Sequence, residues 1–204
     1  IQKVIQDALK LGTDNNFGHD YLKDFEERFS IKNRDPISTG WERIDDICKG
    51  GLGKRELGVA IAPTGAGKSM ILACLGANAL KQGKTVVHYT LELADTVVGS
   101  RYDSSITGVP LGDLMSNKQK ILDVVKDVEG TLIIKEYPTK SASTETIKNH
   151  IERLKKRGIE PDMIIVDYAD LLRPVKETRE KRHDLENIYE ELRGIAQVYD
   201  CPLW

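Results

Sequence analysis

Eight consecutive residues, Ala62, Pro63, Thr64, Gly65, Ala66, Gly67, Lys68 and Ser69, combine a glycine-rich turn with a lysine and a hydroxyl. That combination suits the phosphates of a nucleotide. Backbone N–H groups of such a turn converge on anionic oxygens, and a helix opening directly after it adds the positive end of its dipole. Lys68 is the point charge expected on the outer phosphates, and Ser69 the hydroxyl expected on a magnesium ion. Ala62 stands where the full pattern has its first glycine. The binding stretch runs through Met70, where helical spacing begins and continues through Ile71, Leu72, Leu75, Ala79 and Leu80.

Two carboxylates complete the chemistry. In α/β sheets, ligands collect just past the carboxyl ends of strands. Glu92 follows the β-branched run 85–90, and Asp167 follows the apolar run 163–166. With the glycine turn they form the minimum set for metal-assisted hydrolysis of a terminal phosphate. Glu92 would orient or deprotonate a water; magnesium would take Ser69 directly and Asp167 through water. Alone, a strand-end aspartate is often a plain cap and a single glutamate a solvated surface residue. Asp170 is a rival to Asp167, although it also suits a loop or helix cap. His88 alternates within its strand and reads as a packed core imidazole.

The elements that must position these groups follow from periodicity. Strands are expected at 57–61, 85–90, 131–136, 163–166 and in the last residues, 201–204. Helices are expected at 1–11, from about residue 20 with Leu22, Phe25 and Phe29 on its apolar side, briefly around Ile44 and Ile47, and after the glycine turn. Further helices are expected at 95–106, at 117–128, from a cap at Ser143 or Thr144 to Arg157, and at 183–199. Alternating strands and helices specify an α/β fold with a mostly parallel sheet covered on both faces. Gly12 and the polar run 13–16 separate residues 1–18, a linker helix and linker, from a domain at 19–204. The piece from residue 20 needs a surface to pack on, either its own domain or a neighbouring subunit.

Composition narrows the class. A chain of 204 residues with 40% hydrophobic content can bury one sizeable core, and a formal net charge of −2 excludes a protein basic all over. Cys48, Cys74 and Cys201 lack metal-ligand spacing and read as reduced core cysteines, in keeping with a cytoplasmic protein. No run is apolar enough for a membrane span. The first residue, Ile1, and the interrupted strand at Trp204 suggest a piece of a longer protein. Locally, Arg173, Lys176, Arg179, Lys181 and Arg182 outnumber Glu177 and Glu180. That basic stretch, directly after Asp167, suits DNA phosphates or is a solvated face. Lys155, Lys156 and Arg157 sit at a helix C-terminus, where the dipole favours cations.

The chain resembles the C-terminal RecA-like ATPase domain of DnaB-type replicative helicases, and its phage members in particular. The likeness runs through GHDYLKDFEERF (18–29), TGWERIDDI (39–47), the glycine turn, TLEL (90–93), IIKEYPT (133–139) and IIVDY (164–168). It implies a RecA-like P-loop NTPase core, ATP and magnesium as cofactors, Lys68 and Glu92 as catalytic groups, and Ser69 and Asp167 at the metal. It implies further that helix 1–11 docks on the adjacent subunit of a hexameric ring moving on single-stranded DNA, with primase and a loader contacting regions outside this chain. The family's sensor glutamine, arginine finger and second DNA loop would lie past Trp204. An ATPase of the recombinase or clock type, assembling on DNA or on itself without unwinding, is the alternative. A small-molecule kinase with the same loop is less consistent with Glu92, because a kinase must exclude water rather than activate it.

Overall fold

The computed structural model describes residues 18–26 and 34–204. The chain divides into two compact units, Ile1–Asn33 and Arg34–Trp204. In the first, the Asp20 carboxylate accepts from the amides of Leu22 (3.2 Å) and Lys23 (3.1 Å), starting a short turn that reaches Phe25 and Glu26. The expected helix at 1–11, and Phe29 of the second amphipathic piece, lie outside the described residues.

The second unit is built on a parallel sheet. Its helices are α1 (Glu42–Cys48), α2 (Lys68–Lys81), α3 (Asp95–Thr107), α4 (Lys118–Val125), α5 (Thr144–Lys155) and α6 (Lys181–Val198). Its strands are β1 (Thr85–Thr90), β2 (Thr131–Glu136) and β3 (Met163–Asp167), in the order β2-β1-β3. The sheet is continued by single bridges: Leu203 pairs in parallel with Ile164 on one side and with Leu57 on the other. The segment leading to the glycine turn therefore lies one place beyond Leu203, two places from β3.

Strand alternation divides the core between two faces. Val87, Tyr89, Ile164 and Val166 pack with Ile147 and Ile151 of α5 and Ile188, Leu192 and Ile195 of α6. Val86, Met163 and Ile165 face the other way, onto Leu72 and Leu75 of α2 and Val98 and Tyr102 of α3. Gly76 makes that second layer possible. A Cβ there would fall 2.1 Å from the Tyr102 hydroxyl, which instead reaches the buried His88 Nδ1 at 2.9 Å. His88 is thus the core imidazole its alternation predicts, and burial pushes its pKa down to about 3.

Helix starts are legible in the local chemistry. Of the two caps the sequence offers, Ser143 is the one used, in a capping box with Thr146. The turn at Gly158, with φ 77°, follows where the sequence expects a stop. Three expectations need correction. The last residues, 201–204, form no strand and reach the sheet only through the single bridges of Leu203. The run 57–61 is not a strand: only Leu57 bridges, and the Gly58 amide donates to the Leu203 carbonyl at 2.8 Å. Its apolar residues serve a surface rather than a sheet, since Val59 and Ile61 are exposed and line a cleft. The helix expected at 117–128 is confined to α4, preceded by two short 3-10 turns, Leu111–Asp113 and Met115–Asn117.

Candidate nucleotide-binding site

The glycine turn is anchored from below. Arg34 forks onto Glu56 at 2.6 and 2.8 Å and also donates to the carbonyls of Cys48 and Gly51, fixing the segment that leads into the turn. Gly65 and Gly67 adopt φ values of 77° and 94°, a left-handed region that strains residues with a side chain. A Cβ at either position would meet nothing within 4 Å, so the turn faces open space. Gly67 is the N-cap of α2 and no side chain caps this helix. The first amides of α2 are left for an anion, with the dipole behind them. Lys68 Nζ donates to the carbonyls of Ala62 (2.7 Å) and Pro63 (3.0 Å), curling back over the turn with a third donor to spare.

The carboxylates arrive from the sheet. Thr90 pairs with Asp167 on β3 and with Glu136 on β2, so the carboxyl ends of the three strands are level. Just past β1, the Leu91 amide donates to the Asp167 carbonyl at 2.8 Å. The Thr90 hydroxyl donates to the Leu93 carbonyl and accepts from the Leu93 amide, clamping the turn that carries Glu92. Asp167 is 1% exposed, and neither carboxylate oxygen has a hydrogen-bond partner among the described residues. Burial raises its pKa. The nearby Ser69 hydroxyl pulls it back without completing a hydrogen bond, Glu92 pushes it up, and Arg101 and Lys68 oppose that push.

These groups surround one cleft of about 590 Å³. Thr64, Gly65, Gly67, Lys68, Ser69 and Glu92 line it, together with Ala62 and the apolar run before it. Asp167 opens onto an adjoining recess of about 50 Å³ that shares Lys68 and Tyr168 with the cleft. Pro63, Ala66 and Met70 do not line the cleft; the Pro63 carbonyl holds Lys68 instead. Sequence reasoning missed Arg101, Tyr168 and Tyr189, which complete the walls. Arg101 is the single cation of α3 and sits beside its buried Val98 and Tyr102, a spacing that does not by itself say which site the helix faces. Asp170 also lines the cleft, held by the Tyr189 hydroxyl at 2.9 Å. The basic stretch lies elsewhere: Arg173, Lys176 and Arg179 are exposed on irregular chain, and Lys181 and Arg182 open α6.

A magnesium ion fits this chemistry. Magnesium takes hard oxygen ligands, keeps several waters and needs only one or two carboxylates beside substrate phosphates. Asp167 supplies an orphaned, buried carboxylate and Ser69 a hydroxyl next to it. Among the described residues, no group of three or more His, Cys, Asp or Glu side chains is placed to hold a metal. None of the described helices is long and apolar enough to cross a membrane.

The chain is similar to known proteins over its whole length. The "DnaB-like replicative helicase" of Enterobacteria phage T4 is 29% identical over 218 residues, covering 100% of this chain and 46% of that protein. The "Replicative DNA helicase DnaB" of Helicobacter pylori is 23% identical over 212 residues, covering 100% of this chain and 40% of its own length. The chain thus spans less than half the length of these curated relatives. Among solved structures, a DnaB-like replicative helicase studied with its primase interactions superposes with a TM-score of 0.74 at 14% identity, over 99% of this chain and 50% of that one. The ATPase domain of a protein named G40P superposes with a TM-score of 0.69 at 16% identity, over 88% and 66% of the two chains. The fold is accordingly the RecA-like one of those ATPase domains. Since residues 36–204, the sheet and the whole cleft included, match the DnaB-like helicase C terminal domain family, the chain belongs to that family.

Proposed function

We propose that this chain is the motor domain of a ring-forming replicative helicase, hydrolysing ATP to move along single-stranded DNA and unwind duplex. The observation that carries the reading is the meeting of Lys68, Ser69 and Glu92 around one cleft, with the unpaired Asp167 carboxylate beside it. Lys68 and the open amides of α2 bind the phosphates of ATP. Ser69 and Asp167 hold magnesium, which when bound neutralises charge on the phosphate oxygens. Glu92 accepts a proton from a water as that water attacks the γ-phosphorus, and the bond to the bridging oxygen of ADP breaks. The stretch 62–70 carries the nucleotide site, with Ala62, Thr64, Gly65, Gly67, Lys68 and Ser69 lining the cleft. Arg173, Lys176, Arg179, Lys181 and Arg182 contact DNA phosphates. Lys181 and Arg182 support this, because they place positive charge in the first turn of α6, where the dipole disfavours it.

In this reading residues 1–18 are a linker helix and linker, of which helix 1–11 docks on the next subunit of a hexamer, and 19–204 are the motor domain, working in the cytoplasm with primase and a loader as partners. An arginine supplied from a neighbour raises phosphoryl-transfer rates by about 10³ to 10⁵. The 204-residue chain alone is therefore expected to hydrolyse ATP slowly. The test is strand displacement on a forked duplex by the full-length protein, unaltered and carrying Lys68→Ala. Unwinding that requires magnesium and ATP and vanishes in the variant supports the motor. DNA-dependent hydrolysis without displacement would assign the chain to an ATPase that assembles on DNA without unwinding it.

A further inference from the structure

A second hollow, about 520 Å³, shares no residue with the nucleotide cleft. Its origin is topological. Strand register puts Ile133 and Lys135 of β2 on the same face as Val87 and Tyr89 of β1. Helix α5 covers that face over β1 and β3 through Ile147, Ile151 and Leu154. The edge strand is left as the floor of a groove, with Lys135 and Tyr137 below and Thr146, His150, Arg153 and Arg157 along the wall. From Thr146 to Arg157 the wall runs roughly 16 Å at helical rise, longer than one nucleotide.

The groove carries charge of a single sign. No carboxylate lines it, and among the described residues the salt bridges engage other cations than Lys135, Arg153 and Arg157. Arg153 and Arg157 stand one helical turn apart and are exposed. In a chain of net charge −2, three such cations around one hollow make a local positive field that favours an anion. Arginine forks match phosphate oxygens, two donors at a time. The floor offers bases little: Tyr137 has Tyr89 stacked at 6.2 Å, and Lys135 Nζ lies 5.1 Å from its ring centroid. The Tyr89 hydroxyl is engaged with His150 Nδ1 at 3.0 Å. Contact through the phosphate backbone, without base preference, is what remains.

We propose that the groove between β2 and α5 binds the phosphates of a single nucleic-acid strand through Arg153, Arg157 and Lys135. The choice of nucleic acid over another polyanion rests on the motor reading above; the groove itself does not. Each phosphate contact to a single strand adds ~0.7 to the slope of log affinity against log salt.

The test is fluorescence anisotropy of labelled oligothymidylate with the 204-residue chain across a salt series. Arg153→Ala with Arg157→Ala is expected to weaken binding severalfold at low salt and flatten the slope by about 1.4, and adding Lys135→Ala by about 2 in all. The charge-keeping pair Arg153→Lys and Arg157→Lys retains most of the slope, and oligoadenylate behaves like oligothymidylate. Unchanged ATP-analogue binding and thermal melting verify that each variant is folded; Lys135→Ala alone serves if the arginine pair is not. Binding that survives the groove variants but is lost on replacing Arg173, Lys176 and Arg179 by alanine overturns the groove and leaves the motor reading standing. No strand binding by the unaltered chain overturns the groove, and strand displacement by the full-length protein then decides the motor reading. A larger loss for polyglutamate than for the oligonucleotide assigns the groove to an acidic protein and also overturns the proposal.

Discussion

The two hollows are close in volume, about 590 and 520 Å³, and differ in the sign of their charges. The nucleotide cleft sets Lys68 and Arg101 against Glu92 and Asp170, with Asp167 beside it in the adjoining recess. The groove over β2 has cations and no carboxylate. Opposed charges can hold a metal and a phosphate at once and can move a proton; the groove's cations suit the binding of an anion. The difference arises from where each hollow sits on the sheet. The cleft is at the carboxyl ends of the strands, where loops deliver side chains of either sign. The groove lies along an edge strand, and one helix face supplies its wall.

Breaking the cleft has the largest expected effect. Lys68→Ala removes the charged donor from the phosphates, a loss of about 1.5–3 kcal/mol for a hydrogen bond to a charged group. Nucleotide affinity by calorimetry is expected to fall roughly tenfold to more than a hundredfold, with strand binding at the groove unaffected. A variant that binds ATP normally would leave the cleft no different in kind from the groove.

Asp167→Asn sharpens the contrast at one buried carboxylate. Burial raises the folded pKa of Asp167 above its unfolded value, so the folded state binds the extra proton between the two. Its penalty is absent below the unfolded value, grows as pH rises through the folded one, and is complete above it. The variant is expected to gain about 1 kcal/mol at neutral pH in magnesium-free buffer, on the scale of relieving an unpaired buried group, and nothing in acid. It is also expected to lose the stabilisation that magnesium with nucleotide gives the unaltered chain. Thermal unfolding at two pH values, with and without magnesium, checks both. Equal melting at neutral pH would mean that Asp167 is not held charged at a cost.

The smallest effect reads the groove directly. Burial lowers the His150 pKa, and Lys135, Arg153 and Arg157 lower it further. Removing the two arginines is expected to raise it, as read by nuclear magnetic resonance, because two of the charges that lower it are gone. Saturating oligothymidylate is expected to raise it in the unaltered chain for the same reason. A His150 resonance indifferent to both would leave the groove without the field ascribed to it.

What the sequence disclosed depended on range. The glycine turn, the Ser143 cap and the strand-end positions of Glu92 and Asp167 are local patterns and could be read along the chain. The run 57–61 misled because apolar β-branched residues also line clefts, and periodicity does not say which. Arg101 and Tyr189 could not be assigned to the cleft, since α3 and α6 must first fold back over it. Arg157 showed only its local logic, a cation at a helix end. Its partnership with Lys135 exists through the β1–β2 register and the placement of α5 beside the edge strand.

The central claim is that Glu92 makes the cleft a place of hydrolysis rather than of binding. Paired measurement of phosphate release and ATP affinity in Glu92→Gln, in the full-length protein, tests it most directly. A proton acceptor contributes about 10² to 10⁴ in rate, so release is expected to fall by at least about a hundredfold while affinity stays within about twofold. Release at the unaltered rate, or a loss of release matched by an equal loss of affinity, would contradict the account.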